Sequence, residues 1–397
     1  MNQYEQAKMK VMLVVGARPN FMKAAPLVDR MKRYGDYIEP ILVHTGQHYD
    51  QNLSGLFFDD LKLTKPDVYL GVGSGSHAVQ TAKIMVEFEK AALENPPHLV
   101  VVVGDVNSTV ACALVAAKCH IPVAHVEAGL RSFDMGMPEE VNRVLTDRIS
   151  DYLFVSESSG YQNLISEGVD PDKIFFVGNV MIDSLMAHLK VAQEKSIVRD
   201  LGLEPKKYAL LTLHRPDNVD HGKTLAHLIQ AVRVISGWIP VIFPCHPRTR
   251  LNIDKFGLAS YFDNGRFRLI EPAGYLDFLK LEAEAGMVLT DSGGIQEETT
   301  ILDVPCLTLR KNTERPVTIT EGTNMLVGPY PEKIVAAAES ILAGNLKSGQ
   351  IPKYWDGRAS ERIVDVFLKI REQMLVPYPV KPGTAKIKTI EAFPGPA

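Results

Sequence analysis

At 397 residues the chain is longer than one hydrophobic core usually serves, so two domains are the first expectation. A hydrophobic fraction of 46% and a charged fraction of 23% mark an ordinary globular protein. A formal net charge of -4, with no Lys/Arg stripe on a helical pattern, argues against nucleic acid as a partner.

In chain order, the first ten residues are polar and lack the apolar core of a signal peptide. No apolar run is long enough to span a bilayer, so the expected location is cytoplasmic, with no membrane partner. Apolar strand-like runs then alternate with amphipathic helical patterns, the signature of an α/β protein with parallel sheets. The first series predicts strands at 11–15, 38–44, 99–104, 122–126, 152–155 and 174–177, with helical patterns between them, for example 76–93 and 142–149. A second series predicts strands at 209–213, 241–244, 268–270, 287–289 and 306–309. This describes two doubly wound, Rossmann-like domains, 1–180 and 181–357, joined near 178–184. Residues 355–374 read as one or two helices, and 376–397 as a Pro-rich tail, extended or disordered. Cys112, Cys119, Cys245 and Cys306 lie in or beside apolar segments without CxxC spacing, which favours reduced, buried thiols over zinc or disulfides.

Ligands of open parallel sheets collect at the carboxyl ends of strands. After the first strand, Arg18 precedes Pro19, which can open a helix, and Lys23 lies about one turn in; two cations and a helix start suit a phosphate or diphosphate. Asp105 ends the third strand, where it can equally cap the next helix. Glu127 ends the fourth, and a Glu caps poorly. Glu139 and Glu140 follow Pro138, where acids also favour the helix dipole. His214 and His246 end two strands of the second series, and with the acids of the first half they suggest an interdomain acid/base site. Thr290-Asp291-Ser292-Gly293-Gly294 breaks a buried strand into a helix start suited to a diphosphate. Glu297 is expected near that start as an N-terminal charge, and Glu298 one turn in as an acceptor from ribose hydroxyls. A tight strand-to-helix turn is the plainer reading of the same stretch.

Other signals are weaker. Residues 73–78 satisfy GxGxxA, but they follow a short, weak strand at 67–70 and lack a well-placed acid downstream, so no nicotinamide or flavin site is expected. His44 and His48 have i, i+4 spacing in what reads as loop, which argues against a metal site.

With these residues in view, the chain resembles the non-hydrolysing UDP-N-acetylglucosamine 2-epimerases from about residue 9 to residue 374. The resemblance rests on Gly16-Ala-Arg-Pro19, Gly104-Asp105, His125-Val-Glu-Ala-Gly-Leu-Arg131, Pro138-Glu-Glu-Val-Asn-Arg143, Thr212-Leu-His-Arg-Pro216, Asp291-Ser-Gly-Gly-Ile-Gln-Glu-Glu298 and Thr313-Glu-Arg-Pro316. It implies a glycosyltransferase-B type fold with the active site in the interdomain cleft, a last helix at about 358–375 crossing back to the first domain, and a homodimer. It implies Asp105, Glu127, Glu139 and His214 at the chemistry. Arg18, Lys23, Ser292, Gly293, Gly294, Glu298 and Arg315 fall on the UDP portion and Phe278 near the base, with Arg143 and His246 as further substrate-binding candidates.

The implied activity interconverts UDP-GlcNAc and UDP-ManNAc at C2, supplying a surface polysaccharide precursor, with neither metal nor redox cofactor. The C2 proton is not acidic, so UDP must depart first or nearly so to leave a 2-acetamidoglucal, and two groups must flank the ring for inversion. Alternatives are a C2 epimerase of a modified UDP-sugar of the 2,3-diacetamido uronate type, a UDP-sugar glycosyltransferase, or a non-catalytic UDP-sugar binder. Three departures from the family pattern stand out: a short Ser132 to Met137 segment, a differing His44 to Asp50 stretch, and Ala273 where some relatives have Gln.

Overall fold

The structure, a computed structural model, describes residues 8–46, 65–262 and 265–375, the side chains of Arg18, Met374 and Leu375 excepted. His48, the rest of the 47–50 stretch and the Pro-rich residues 376–397 therefore lie outside the described residues. The chain divides into unit 1, Met1–Ser184 with Lys353–Ala397, and unit 2, Leu185–Pro352.

Unit 1 holds a seven-stranded, wholly parallel sheet in the order β3-β2-β1-β4-β5-β6-β7. The strands are β1 Met9–Val15, β2 Ile38–His44, β3 Val68–Tyr69, β4 Leu99–Val103, β5 Val123–Ala128, β6 Tyr152–Val155 and β7 Ile174–Phe176. Five consecutive buried apolar residues form β4, as expected of a strand covered on both faces. Strand order reverses between β1 and β4, and the crevice at such a switch point is where doubly wound sheets bind ligands. Four helices matter to the site: α1 Arg18–Arg33, α2 His77–Glu94, α3 Asn107–Lys118 and α4 Pro138–Ile149. Residues of α2 and α3 pack against β1, β2 and β4 in one core cluster that includes Met12, Val43, Phe88, Val102 and Ala113.

The C-terminal helix Ala359–Leu375 belongs to unit 1. Arg30 of α1 reaches Glu361 at 3.2 Å, the Asp183 carboxylate accepts from the backbone N–H groups of Ala359 (3.0 Å) and Ser360 (2.7 Å), and Phe154 meets Phe367 edge-on.

Unit 2 repeats the plan with six parallel strands in the order β10-β9-β8-β11-β12-β13. They are β8 Ala209–Thr212, β9 Val241–Pro244, β10 Phe267–Ile270, β11 Met287–Thr290, β12 Cys306–Thr308 and β13 Asn324–Leu326. The switch point falls between β8 and β11, which are tied by a 2.6 Å hydrogen bond between the Thr212 and Thr290 hydroxyls. Helices α5 Gly222–Ile235 and α8 Pro331–Leu342 bury Leu228, Ile229, Val232, Ile334 and Ala338 in one core cluster, while α6 Tyr275–Ala283 and α7 Gly293–Leu302 carry the site residues.

The structure corrects several expectations. Helix α4 starts at Pro138, as Pro138-Glu139-Glu140 leads one to expect, and so extends the 142–149 pattern by about a turn, the proline supplying the helical φ at its first position. Trp355 is not helical; it is buried before the last helix, its indole N–H donating to the Ser156 carbonyl at 2.9 Å. The short, partly exposed β13 escapes an apolar-run reading because it begins with a buried Asn. Cys119 is only half-buried, whereas Cys112, Cys245 and Cys306 are buried.

Candidate functional site

In unit 1 the site residues gather at the carboxyl ends of β1, β4 and β5. Strand β5 pairs with β6 through a register shift between Val126 and Ala128, and Glu127 stands in that bulge with φ 75°. A left-handed non-glycine residue is strained, and bulges of this kind re-aim a side chain. The Glu127 carboxylate forms a buried ion pair with Lys23 of α1. Gly104, with φ 69°, makes room: a Cβ there would lie 3.3 Å from Glu127 Oε2 and 3.6 Å from Lys23 Nζ. The turn carrying Lys23 is fastened by Asn20, whose side-chain oxygen accepts from Ala17 N (3.0 Å) and whose amide donates to the Val103 carbonyl (2.9 Å). Arg18 opens α1, but its side chain lies outside the described ones.

Asp105 does not cap the following helix; the N-cap is Val106. Instead its Oδ2 accepts from Nε (3.0 Å) and Nη2 (2.8 Å) of Arg143, and the carboxylate keeps 27% of its surface exposed. Arg143 also pairs with Glu140. The two acids after Pro138 thus differ. Glu140 is buried and accepts from Ser132 N, Ser132 Oγ and Phe133 N, each at 2.9 Å, which anchors the loop before α4, whereas Glu139 is half-buried in the first turn.

Behind them lies a cluster of buried charge. His125 Nδ1 meets Asp147 Oδ1 at 2.7 Å and His125 Nε2 meets the Gly104 carbonyl at 2.8 Å, so both ring nitrogens face acceptors. Asp147 Oδ2 accepts from Gly129 N (3.1 Å) and pairs with Arg131 (2.7 Å). Burial alone would raise the Asp147 carboxyl, but His125 and Arg131 outweigh it and hold it below the usual range. His125 thereby ties Gly104, the residue before Asp105, to α4.

In unit 2 the buried Asp291 follows β11. It accepts from His214 N (3.1 Å), Arg215 N (3.0 Å) and Asn218 Nδ2 (3.1 Å), and lies 3.0 Å from His214 Nδ1. Burial opposes ionisation of Asp291, yet His214 and these donors leave its carboxyl below the ordinary value. A half-exposed His214 ring, held at Nδ1, leaves Nε2 for a ligand. His246 is exposed, accepts from Arg248 N at 3.3 Å as the N-cap of the helix Pro247–Lys255, and has its ring 6.2 Å from that of His214.

Ser292 is the N-cap of α7, yet its hydroxyl makes no cap bond, and the first-turn N–H groups of a helix have no intrahelical partners. Beside this helix start, Arg315 Nε donates to Glu297 Oε1 at 2.6 Å, and Glu314 holds Arg315 at 3.3 Å, Arg310 at 2.7 Å and Arg215 at 3.8 Å. A Cβ on Gly293 would lie 2.9 Å from Glu314 Oε1, so only glycine lets the cluster approach so closely. Glu297 is thus not the first-turn charge expected of it; it lies beyond the first turn as the partner of Arg315. Glu298, almost fully buried, accepts from Tyr275 Oη at 3.3 Å, and Phe278 is half-buried on α6.

No group of three or more His, Cys, Asp or Glu among the described residues is placed to hold a metal ion. His44 lies between Phe21 and Tyr69, each ring 5.1 Å away, and burial lowers its pKa to about 4. Among the described residues no helix is long and apolar enough to cross a membrane. Sequence reasoning passes over Asp147, Asn20, Arg215, Arg310, Glu314 and Glu282, and reads Glu140 only as an acid that favours the helix dipole. Only the i, i+3 spacing of Glu140 and Arg143 signals its pairing in advance.

The family model described as UDP-N-acetylglucosamine 2-epimerase matches residues 31–368. A UDP-N-acetylglucosamine 2-epimerase of Methanocaldococcus jannaschii is 44% identical over 364 residues, 90% of this chain and 98% of that one. A UDP-2,3-diacetamido-2,3-dideoxy-D-glucuronate 2-epimerase of Pseudomonas aeruginosa is 41% identical over 367 residues, 91% of this chain and 100% of that one. The crystal structure of the Methanocaldococcus jannaschii enzyme in complex with UDP-GlcNAc and UDP superposes with a TM-score of 0.85 at 43% identity, covering 91% of this chain and 100% of that one.

Proposed function

The chain belongs to the UDP-N-acetylglucosamine 2-epimerase family, and from that premise we propose that it interconverts UDP-GlcNAc and UDP-ManNAc by eliminating UDP and adding it back. The observation that carries this reading is Glu127, a carboxylate forced into a left-handed bulge and buried against Lys23 beside Asp105. Strain of this kind is kept where a group must be aimed.

Unit 2 takes the nucleotide in this reading. The diphosphate lies on the N-terminus of α7 at Ser292, Gly293 and Gly294, with Arg315 and His214 Nε2 beside it, the ribose on Glu298 and the base near Phe278. As the C1–O bond breaks, its electron pair leaves with UDP. The helix end and the cations, including Arg18 and Lys23, stabilise the added charge. Positive character at C1 acidifies C2–H, and a carboxylate among Asp105, Glu127 and Glu139 takes the proton, leaving a 2-acetamidoglucal. A second of these acids returns a proton to the other face, and UDP re-adds at C1. Arg143 positions Asp105 and Lys23 positions Glu127, so each carboxylate is held in one orientation. Arg143 and His246 are assigned to substrate contact on the same reading.

An NMR time course of UDP-GlcNAc in deuterated buffer tests the proposal: deuterium enters C2 as the manno epimer grows. A sugar nucleotide left unexchanged would sink it. The 41% identity to the diacetamido uronate epimerase favours one second reading, in which the 3-acetamido, 6-carboxyl sugar is the substrate. Turnover of that nucleotide and not of UDP-GlcNAc distinguishes the two.

A further inference from the structure

Helix α6 brings a second acid to the ribose side of the nucleotide site, and nothing in the proposed mechanism uses it. Glu282 is fully buried, both its carboxyl oxygens are sealed from solvent, and among the described residues no N–H or hydroxyl donor reaches them. The polar group it acts on is the Glu298 carboxyl of α7. The other groups facing this pair are Tyr275, which donates to Glu298; Glu297, whose charge is taken up by Arg315; Cys306 of β12; and, behind Tyr275, the His188 ring at 5.8 Å. No cation among them pairs with Glu282.

An ionised carboxylate so placed, beside another carboxylate, is too costly to persist, so Glu282 keeps its proton. We propose that Glu282 is a neutral carboxylic acid that donates a hydrogen bond to Glu298, a positioning residue that presents Glu298 as the acceptor for a vicinal diol. With Tyr275 and Glu282 as donors on its inner side, Glu298 has its remaining lone pairs for the two ribose hydroxyls. The pair titrates as a unit: burial raises Glu282 well above the carboxylate range and lifts Glu298 to about 7. Diol binding then requires the ionised form of Glu298 and releases a proton below neutrality. This inference rests on the nucleotide site proposed above.

The test measures calorimetric affinity for UDP and for 2′,3′-dideoxyuridine diphosphate between pH 5.5 and 8.5, in buffers of different ionisation enthalpy. The dideoxy analogue carries the same phosphates, so the difference between the two ligands isolates the diol. Glu282→Leu removes the donor: UDP should bind about tenfold more weakly at pH 7, with the midpoint of its pH dependence moved up and the dideoxy analogue unaffected. Glu282→Gln keeps an N–H donor and should bind UDP within about twofold of wild type. Tighter UDP binding by Glu282→Gln would mean that Glu282 is ionised and repels, which overturns the inference, as would equal losses for UDP and the dideoxy analogue. If Glu282→Leu does not fold, wild type and Glu282→Gln still decide it. Absence of UDP binding by wild type at every pH overturns the nucleotide reading itself.

Discussion

Around the β1/β4 switch point of unit 1, Glu127, Asp105, Glu140 and Asp147 each have a cation beside them. Lys23 serves Glu127, Arg143 serves Asp105 and Glu140, and His125 with Arg131 serves Asp147. Around β11 of unit 2 the same strand order carries a different arrangement: three arginines crowd a helix start, and one pair of acids, Glu282 and Glu298, has no cation beside it among the described residues. The strand order therefore fixes where a site forms, and the side chains decide its charge. Paired acids suit proton transfer, because the partner holds each carboxyl in one orientation. Clustered cations suit an anion.

Substitutions that interrupt proton transfer should produce the largest effect. Glu127→Gln or Asp105→Asn should lower turnover by about 10²–10⁴ while UDP affinity is retained, as read by C2 deuterium exchange beside calorimetry. Equal losses in both measurements would erase the division of labour between the units. Next, His125→Ala leaves Asp147 and Arg131 buried with one partner gone, and should cost about 3–5 kcal/mol in urea unfolding. Arg315→Ala should weaken UDP binding by about 1.5–3 kcal/mol, the worth of a hydrogen bond to a charged group, and should also lower stability in urea unfolding, because Glu297 is left buried without this arginine.

The smallest effect is in pH. Asp147 and Asp291, held low, contribute stability that is present above their unfolded value of 3.8 and is lost as pH falls through their folded values. Glu298, held high, works the other way: its contribution is full below 4.5 and is lost as pH rises through about 7. Melting should therefore fall between pH 5 and 8, and Glu298→Gln should lessen that fall, to which the buried Glu282, raised still further, also contributes.

Much of this was legible in the chain because apolar runs of four to six residues with charged ends leave little choice of element. Expected strands 38–44, 152–155 and 241–244 coincide with β2, β6 and β9, and most others differ by one or two residues at an end. Asp105, Glu127, His214 and Ser292 stood out because parallel sheets bind at strand ends, whatever their neighbours. What the sequence by itself determined, then, was the alternation of strand and helix and the acids, histidines and glycines placed at strand ends, all set by local pattern.

Tertiary structure alone decided the pairings. Asp147 meets His125 across 22 residues, Arg143 meets Asp105 across 38, and Lys23 meets Glu127 across 104. Whether an acid is solvated, paired or left to keep its proton depends on burial and on partners brought from elsewhere in the chain. Glu282 reads along the sequence as one more helical acid, and becomes a distinct chemical group only once the sheet and helices close over it.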